Sequence, residues 1–149
     1  MNRKNFRPQF FSLLFFVFSS FAQAQTPLLE LNAGFYRIEV EVAADPQTRQ
    51  RGLMHRRQMP ANRGMLFIFT EAGKHCMWMR NTFIPLSVAF LDEDATIINI
   101  EDMRAQTDDN HCAARPARYA LEMNLGWFSS KAIRAGTRIG GVEKAPRVR

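Results

Sequence analysis

Apolar and polar side chains alternate between residues 35 and 43, with Tyr36, Ile38, Val40 and Val42 on one parity and Arg37, Glu39 and Glu41 on the other. A period of two over this length predicts a strand with one wet face. Asp45-Pro46 follows, a side-chain cap with proline in the first turn, and predicts a short helix running towards Gly52 or His55. Pro60 and Gly64 punctuate a loop. Met65-Leu66-Phe67-Ile68-Phe69 is apolar on both parities, which predicts a fully buried strand. His75 to Met79 predicts a further strand, ended by the polar step Arg80-Asn81-Thr82. Leu86–Leu91 and Thr96–Met103 flank Asp92-Glu93-Asp94 and read as a hairpin.

Residues 104–117 form a long polar loop that carries His111, Cys112 and Pro116. A strand from Tyr119 to Met123 places Tyr119, Leu121 and Met123 inward and leaves Glu122 as a solvated charge on the other face. A short helix near Gly126–Lys131, a turn at Gly136 and a short strand around Ile139 complete the pattern. Short strands with two short helices predict a mainly β (β-rich α+β) fold, a small antiparallel barrel-like sheet. The expected domain spans residues 35–141, after a linker at 25–34 and before a basic C-terminal tail at 142–149.

The first residues have a different character. Arg3, Lys4 and Arg7 precede an apolar stretch from Phe10 to Phe21, followed by Ala22-Gln23-Ala24. Positive start, apolar run and small-x-small ending predict a signal peptide over 1–24, cut between Ala24 and Gln25. The stretch is too short to cross a bilayer as a helix, which takes about 20 residues. No transmembrane anchor is expected, and the chain is expected in the periplasm or outside the cell, as a monomer. Removing the signal changes the charge picture: 17 basic residues remain against 14 acidic ones, a net charge of +3. The pI of about 10 therefore overstates the case for a polyanionic partner, and no nucleic-acid partner is expected. Arg49, Arg51, Arg56, Arg57 and Arg63 remain a local basic cluster, which reads as a solvated face or as a contact for lipid headgroups or polysaccharide.

Nucleophile elbows, phosphate-binding loops, metalloprotease helices and Cys-x-x-Cys pairs are absent from the sequence. Two cysteines in a small exported domain predict a disulfide, Cys76–Cys112. Each follows a histidine, but neighbours on a strand point to opposite faces, which disfavours a two-His, two-Cys metal site. His75, Met77 and Met79 share a parity that would suit monovalent copper. Methionine in apolar segments is ordinarily core filler, and no metal or cofactor is expected. Trp78, Arg80, Asn81 and Thr82 carry the alternative to a plain turn: Trp78 as a stacking platform beside Arg80, which would bind an anionic or carbonyl group.

Four segments resemble the domain of unknown function 192 family: Arg51–Met54, Gly64–Phe69, Trp78–Leu86 and Leu121–Gly126. The resemblance covers about Tyr36 to Ile139 and implies a compact β-rich domain, often exported, of unassigned activity. The family often has Asp after the Pro-Leu pair, where this chain has Ser87. A hydroxyl without an activating partner is a poor proton donor or acceptor at neutral pH, so Ser87 could not replace an essential acid. Two functions remain. The first is a non-catalytic envelope binding or interaction domain with a surface at Trp78, Arg80, Asn81 and Thr82. The second is a small hydrolase using acids such as Asp92 and Glu122, or Asp102, which would have to share one cleft.

Overall fold

The computed structural model describes residues 27–146 and 148. The expected signal peptide and its cut at Ala24/Gln25 lie outside the described residues. In chain order the elements are β1 (Leu29–Ala33), β2 (Tyr36–Ala43), α1 (Pro46–Arg51), β3 (Arg63–Gly73), β4 (Cys76–Met77), β5 (Leu86–Leu91), β6 (Ile97–Met103), β7 (His111–Cys112), β8 (Ala117–Asn124), α2 (Trp127–Ser130) and β9 (Ile139–Gly140). The fold is mainly β, as its alternating and doubly apolar segments predict.

Seven strands form one sheet in the order β6-β5-β8-β3-β2-β1-β9, and β4 pairs with β7 in a second, two-stranded sheet. All pairings but one are antiparallel. The exception, β2 with β3, runs Glu39↔Arg63 to Ala43↔Phe67 in parallel. The crossover through α1 makes this possible, because parallel neighbours cannot be joined by a tight hairpin. The helix starts where its cap dictates: the Asp45 side chain accepts from the Gln47 and Thr48 N–H groups, each at 3.0 Å, and Thr48 completes a capping box. It stops at Gly52, at φ 47°, a left-handed φ that glycine adopts readily.

The sheet curls into a half-barrel. The segment before β9 returns to the start of β6, where Ile97 donates to the Thr137 carbonyl at 2.9 Å and Gly136 to the Ile97 carbonyl at 2.8 Å. One face carries Leu31, Ile38, Val40, Leu66, Ile68, Leu91, Leu121, Met123 and Phe128 in a single core. The other face is also buried. There Met65, Phe67, Leu86, Val88, Phe90, Met103 and Ala120 are covered by Leu53, Met79 and Ala113 from the connecting segments. Each such large side chain taken out of water contributes about 1.5–3 kcal/mol, so the covering layer is held by the same force as the core.

Three boundaries differ from expectation. The linker expected at 25–34 contains β1, which pairs with β2 from Leu29↔Val40 to Ala33↔Tyr36 and buries Leu31 and Ala33. The turn at Gly34, φ +59°, makes this hairpin. The tail expected at 142–149 begins with a 3-10 turn, Val142–Lys144, whose Val142 is buried in the core. The strand expected from His75 to Met79 is reduced to Cys76–Met77, and β7 forms inside the polar loop opposite it.

Candidate functional site

The covering layer leaves a cleft of about 390 Å³ over the second face of the sheet. Three stretches and two single residues build it. Arg49 to Met54 comes from α1 and its exit, Phe67 and Phe69 from β3, Cys76 to Trp78 from β4 and the residue after it, and Thr82 and Glu122 complete the lining. A shallower depression adjoins it, lined by Gln47, Gln50, Arg51, Met54, Trp78, Arg80 and Asn81. The two share Gln50, Arg51, Met54 and Trp78.

Glu122 is the chemical feature of this cleft. It sits mid-strand in β8, with Met65 opposite on β3 and Val88 opposite on β5. Of its four diagonal neighbours on the same face, Phe67, Leu86 and Phe90 are buried and apolar like Met65 and Val88, and Arg63 is half-buried and paired with Glu39. The residue is only 3% exposed. Burial alone pushes its carboxyl up to about 8, with no hydrogen bond or neighbouring charge to offset it. Glu122 is therefore held towards its protonated form, not the solvated charge its strand parity predicts. The parity misleads because Arg118, Glu122 and Asn124 read as a wet face, whereas segments distant in sequence fold over it. Gly64 packs beside it: a Cβ there would lie 2.3 Å from the Glu122 carbonyl oxygen and 2.4 Å from the Met123 sulfur.

The polar step Arg80-Asn81-Thr82 is a turn at the cleft's edge. Asn81 takes the left-handed conformation at φ 56°, which asparagine tolerates. The Thr82 N–H donates to the Met79 carbonyl at 3.0 Å, and its hydroxyl to the Arg80 carbonyl at 3.4 Å. Thr82 is buried and lines the cleft, whereas Arg80 and Asn81 face the adjoining depression. Trp78 is 48% exposed and borders both. The Arg80 guanidinium carbon lies 5.9 Å from the Trp78 ring centroid, and its Nε donates to Asp108 at 2.8 Å. Trp78, Arg80, Asn81 and Thr82 thus share one continuous concavity.

Cys76 and Cys112 are bonded, with Cα atoms 4.0 Å apart. They face each other directly across β4 and β7. The hydrogen bond from Ala113 N–H to the His75 carbonyl makes the next pair the close, non-bonded type. The bridge ties the 104–113 segment to the cleft wall. His75, Met77 and Met79 do other work: His75 stacks on Phe69 at 3.7 Å between centroids, Met77 lines the cleft and Met79 is fully buried.

The basic cluster divides. Arg49 Nη1 donates to the Ala44 carbonyl at 2.7 Å and the Ile68 carbonyl at 3.1 Å, and the residue lines the cleft with Arg51. Arg56 forks onto both oxygens of Glu41 at 2.6 Å, and Arg63 pairs with Glu39 at 3.0 Å. The acids of the hydrolase reading are not assembled. Asp92 follows β5, four residues beyond Val88, or roughly 13 Å along the strand. Its carboxylate accepts from the Asp94 and Thr96 N–H groups of the hairpin turn. Asp102 accepts from Ser87 at 2.5 Å, on the face opposite Glu122.

The fold and cleft define a class: a mainly β half-barrel whose outer face is roofed by a disulfide-tied layer. The chain belongs to the DUF192 family (uncharacterized ACR), whose model matches residues 28–141. Among solved structures it is similar to one from Sinorhizobium meliloti 1021 described as a "putative transcription regulator", with 35% identity, a TM-score of 0.72, and coverage of 77% of this chain and 92% of that one. It is also similar to a protein of unknown function from Novosphingobium aromaticivorans DSM 12444, with 27% identity, a TM-score of 0.68, and coverage of 75% and 82%. No curated protein matches.

Proposed function

We propose that this chain is an exported, non-catalytic binding domain that takes a small organic ligand into the cleft floored by Glu122. The observation that carries the reading is Glu122 itself. The Glu122 side chain makes no hydrogen bond among the described residues, and its carboxyl lines a cleft large enough for a small ligand. A ligand polar group supplies the missing partner. Trp78, Phe67, Phe69 and Met54 give the apolar walls, and Thr82 a second polar contact. Arg80 and Asn81 extend the surface outward.

Export rests on the pattern of residues 1–24 and agrees with the disulfide, a bond that persists in oxidising compartments. Among the described residues, no helix is long and apolar enough to cross a membrane. The two α-helices here have six and four residues, whereas a helix that reads a major groove presents several base contacts along its length.

The test is a titration of small aliphatic and aromatic compounds against the envelope-purified chain by amide NMR. Shifts confined to Gly52–Met54, Trp78, Thr82 and Glu122 are expected. Shifts elsewhere would overturn the site, and ester or glycoside hydrolysis abolished by Glu122→Gln would overturn the non-catalytic reading. Intact mass of the same preparation should place Gln25 first.

A further inference from the structure

The charges around the cleft point to the class of ligand. Among the described residues, the ionisable side chains that line it are Arg49, Arg51 and Glu122. On the face of Glu122, β3 contributes Met65, Phe67 and Arg63 (paired with Glu39), β5 contributes Leu86, Val88 and Phe90, and Glu41 of β2, paired with Arg56, lies beyond Met65. Thr82 and the bonded Cys76 complete the lining and do not titrate. The cleft therefore has Arg49 and Arg51 at its α1 side, Arg51 lying near the Glu41–Arg56 pair, and at its floor an acid held towards its protonated form. Arg49 is anchored in advance, since Nη1 already donates to the Ala44 and Ile68 carbonyls. The third arginine nearby, Arg80, is paired with Asp108 in the adjoining depression. A cation would meet two guanidinium groups and would have to displace the Glu122 proton. A protonated carboxyl at the floor of a largely apolar cleft is instead a hydrogen-bond donor for an acceptor.

Resting on the binding role above, we infer that the cleft takes a small organic anion with an apolar body. An aliphatic or aromatic carboxylate fits: its oxygens accept from the Glu122 carboxyl group, Arg49 and Arg51 balance its charge, and Phe67, Phe69, Met54 and Trp78 enclose the rest.

Three isosteric probes separate the alternatives: benzoate, benzamide and benzamidinium, titrated against the mature, disulfide-intact chain at pH 7 and pH 9. Saturable benzoate binding, at least tenfold tighter than benzamidinium, is expected at pH 7. It should weaken about tenfold at pH 9, as Glu122 loses its proton and becomes a like charge. Glu122→Gln, a neutral donor at both pH values, should keep benzoate binding without that loss. Arg51→Gln should weaken benzoate several-fold and leave benzamide unchanged. Benzamidinium binding that strengthens at pH 9 would overturn the anion class while leaving the cleft a ligand site. No saturable binding by any of the three would overturn both readings. If the Glu122→Gln chain does not fold, the three-probe pH series on the native sequence still decides.

Discussion

Ser87 and Glu122 are the two buried polar residues on the central strands, and they face opposite sides of the sheet. Ser87 is satisfied: its hydroxyl donates to Asp102 at 2.5 Å and accepts from the Gly126 N–H at 2.9 Å. It thereby fastens the β5–β6 pair to the turn that starts α2, a structural role with no proton chemistry in it. Ser87→Ala leaves the half-buried Gly126 N–H short of a partner while the exposed Asp102 carboxylate turns to solvent, and should cost about 1 kcal/mol in urea unfolding. A loss below about 0.5 kcal/mol would mean that solvent replaces both bonds. Neither residue's environment was legible locally. Ser87 stood out in the sequence only as a departure from the family, because its partners lie 15 and 39 positions away. Glu122 was misread because strand parity reports which residues share a face, and does not report what later covers that face.

At the scale of elements, what depends on neighbours in sequence was readable. The Asp45 cap, the Gly52 stop, the hairpin around Asp92–Asp94 and the doubly apolar β3 all occur where their local patterns place them. The parallel β2–β3 pairing, the β1 hairpin and the β9 return were not, since partner choice is decided by the whole sheet. The bridge was readable from cysteine count and compartment, but its place as the roof's fastening was not. Cys76 and Cys112 are 36 positions apart. Closing a loop of that size in the unfolded chain stabilises by up to about 4 kcal/mol on chain-entropy grounds. Reduction, or a Cys76→Ser, Cys112→Ser double change, should lower unfolding free energy by an amount of that order. Hydrogen exchange should quicken at Met79 and Ala113, whose N–H groups bond to the Thr107 and His75 carbonyls, and not in β5 and β8. Uniform acceleration would show that the bridge holds the sheet, not its roof.

For the molecule as a whole, carboxyls act on stability in opposite directions of pH, Glu41 and the capping Asp45 one way and Glu122 the other. Glu41 takes the Arg56 fork, which holds its pKa below the ordinary 4.5 against the opposing effect of partial burial. A depressed carboxylate contributes stability that is present above its unfolded value and is lost as pH falls through its folded one. This pair joins β2 to the loop after α1, so acid should loosen the cleft's α1 side first. Glu122 does the reverse. Its proton is bound more tightly in the folded chain, at about 8, than at the ordinary 4.5. Between those values the folded state holds more protons than the unfolded state, so unfolding free energy declines as pH rises. The slope approaches about 1.4 kcal/mol per pH unit in mid-window, and the total is at most about 5 kcal/mol, with no further change above about 8. Urea unfolding of the disulfide-intact chain across pH 5 to 9 should show this decline. Glu122→Gln, which buries a similar polar group without a titration, should flatten it over pH 5 to 8 and leave the acid limb from Glu41 in place. Parallel curves for the two proteins would mean that Glu122 is already ionised in the folded chain. The cleft's charge balance, and the ligand class inferred from it, would then have to be reversed.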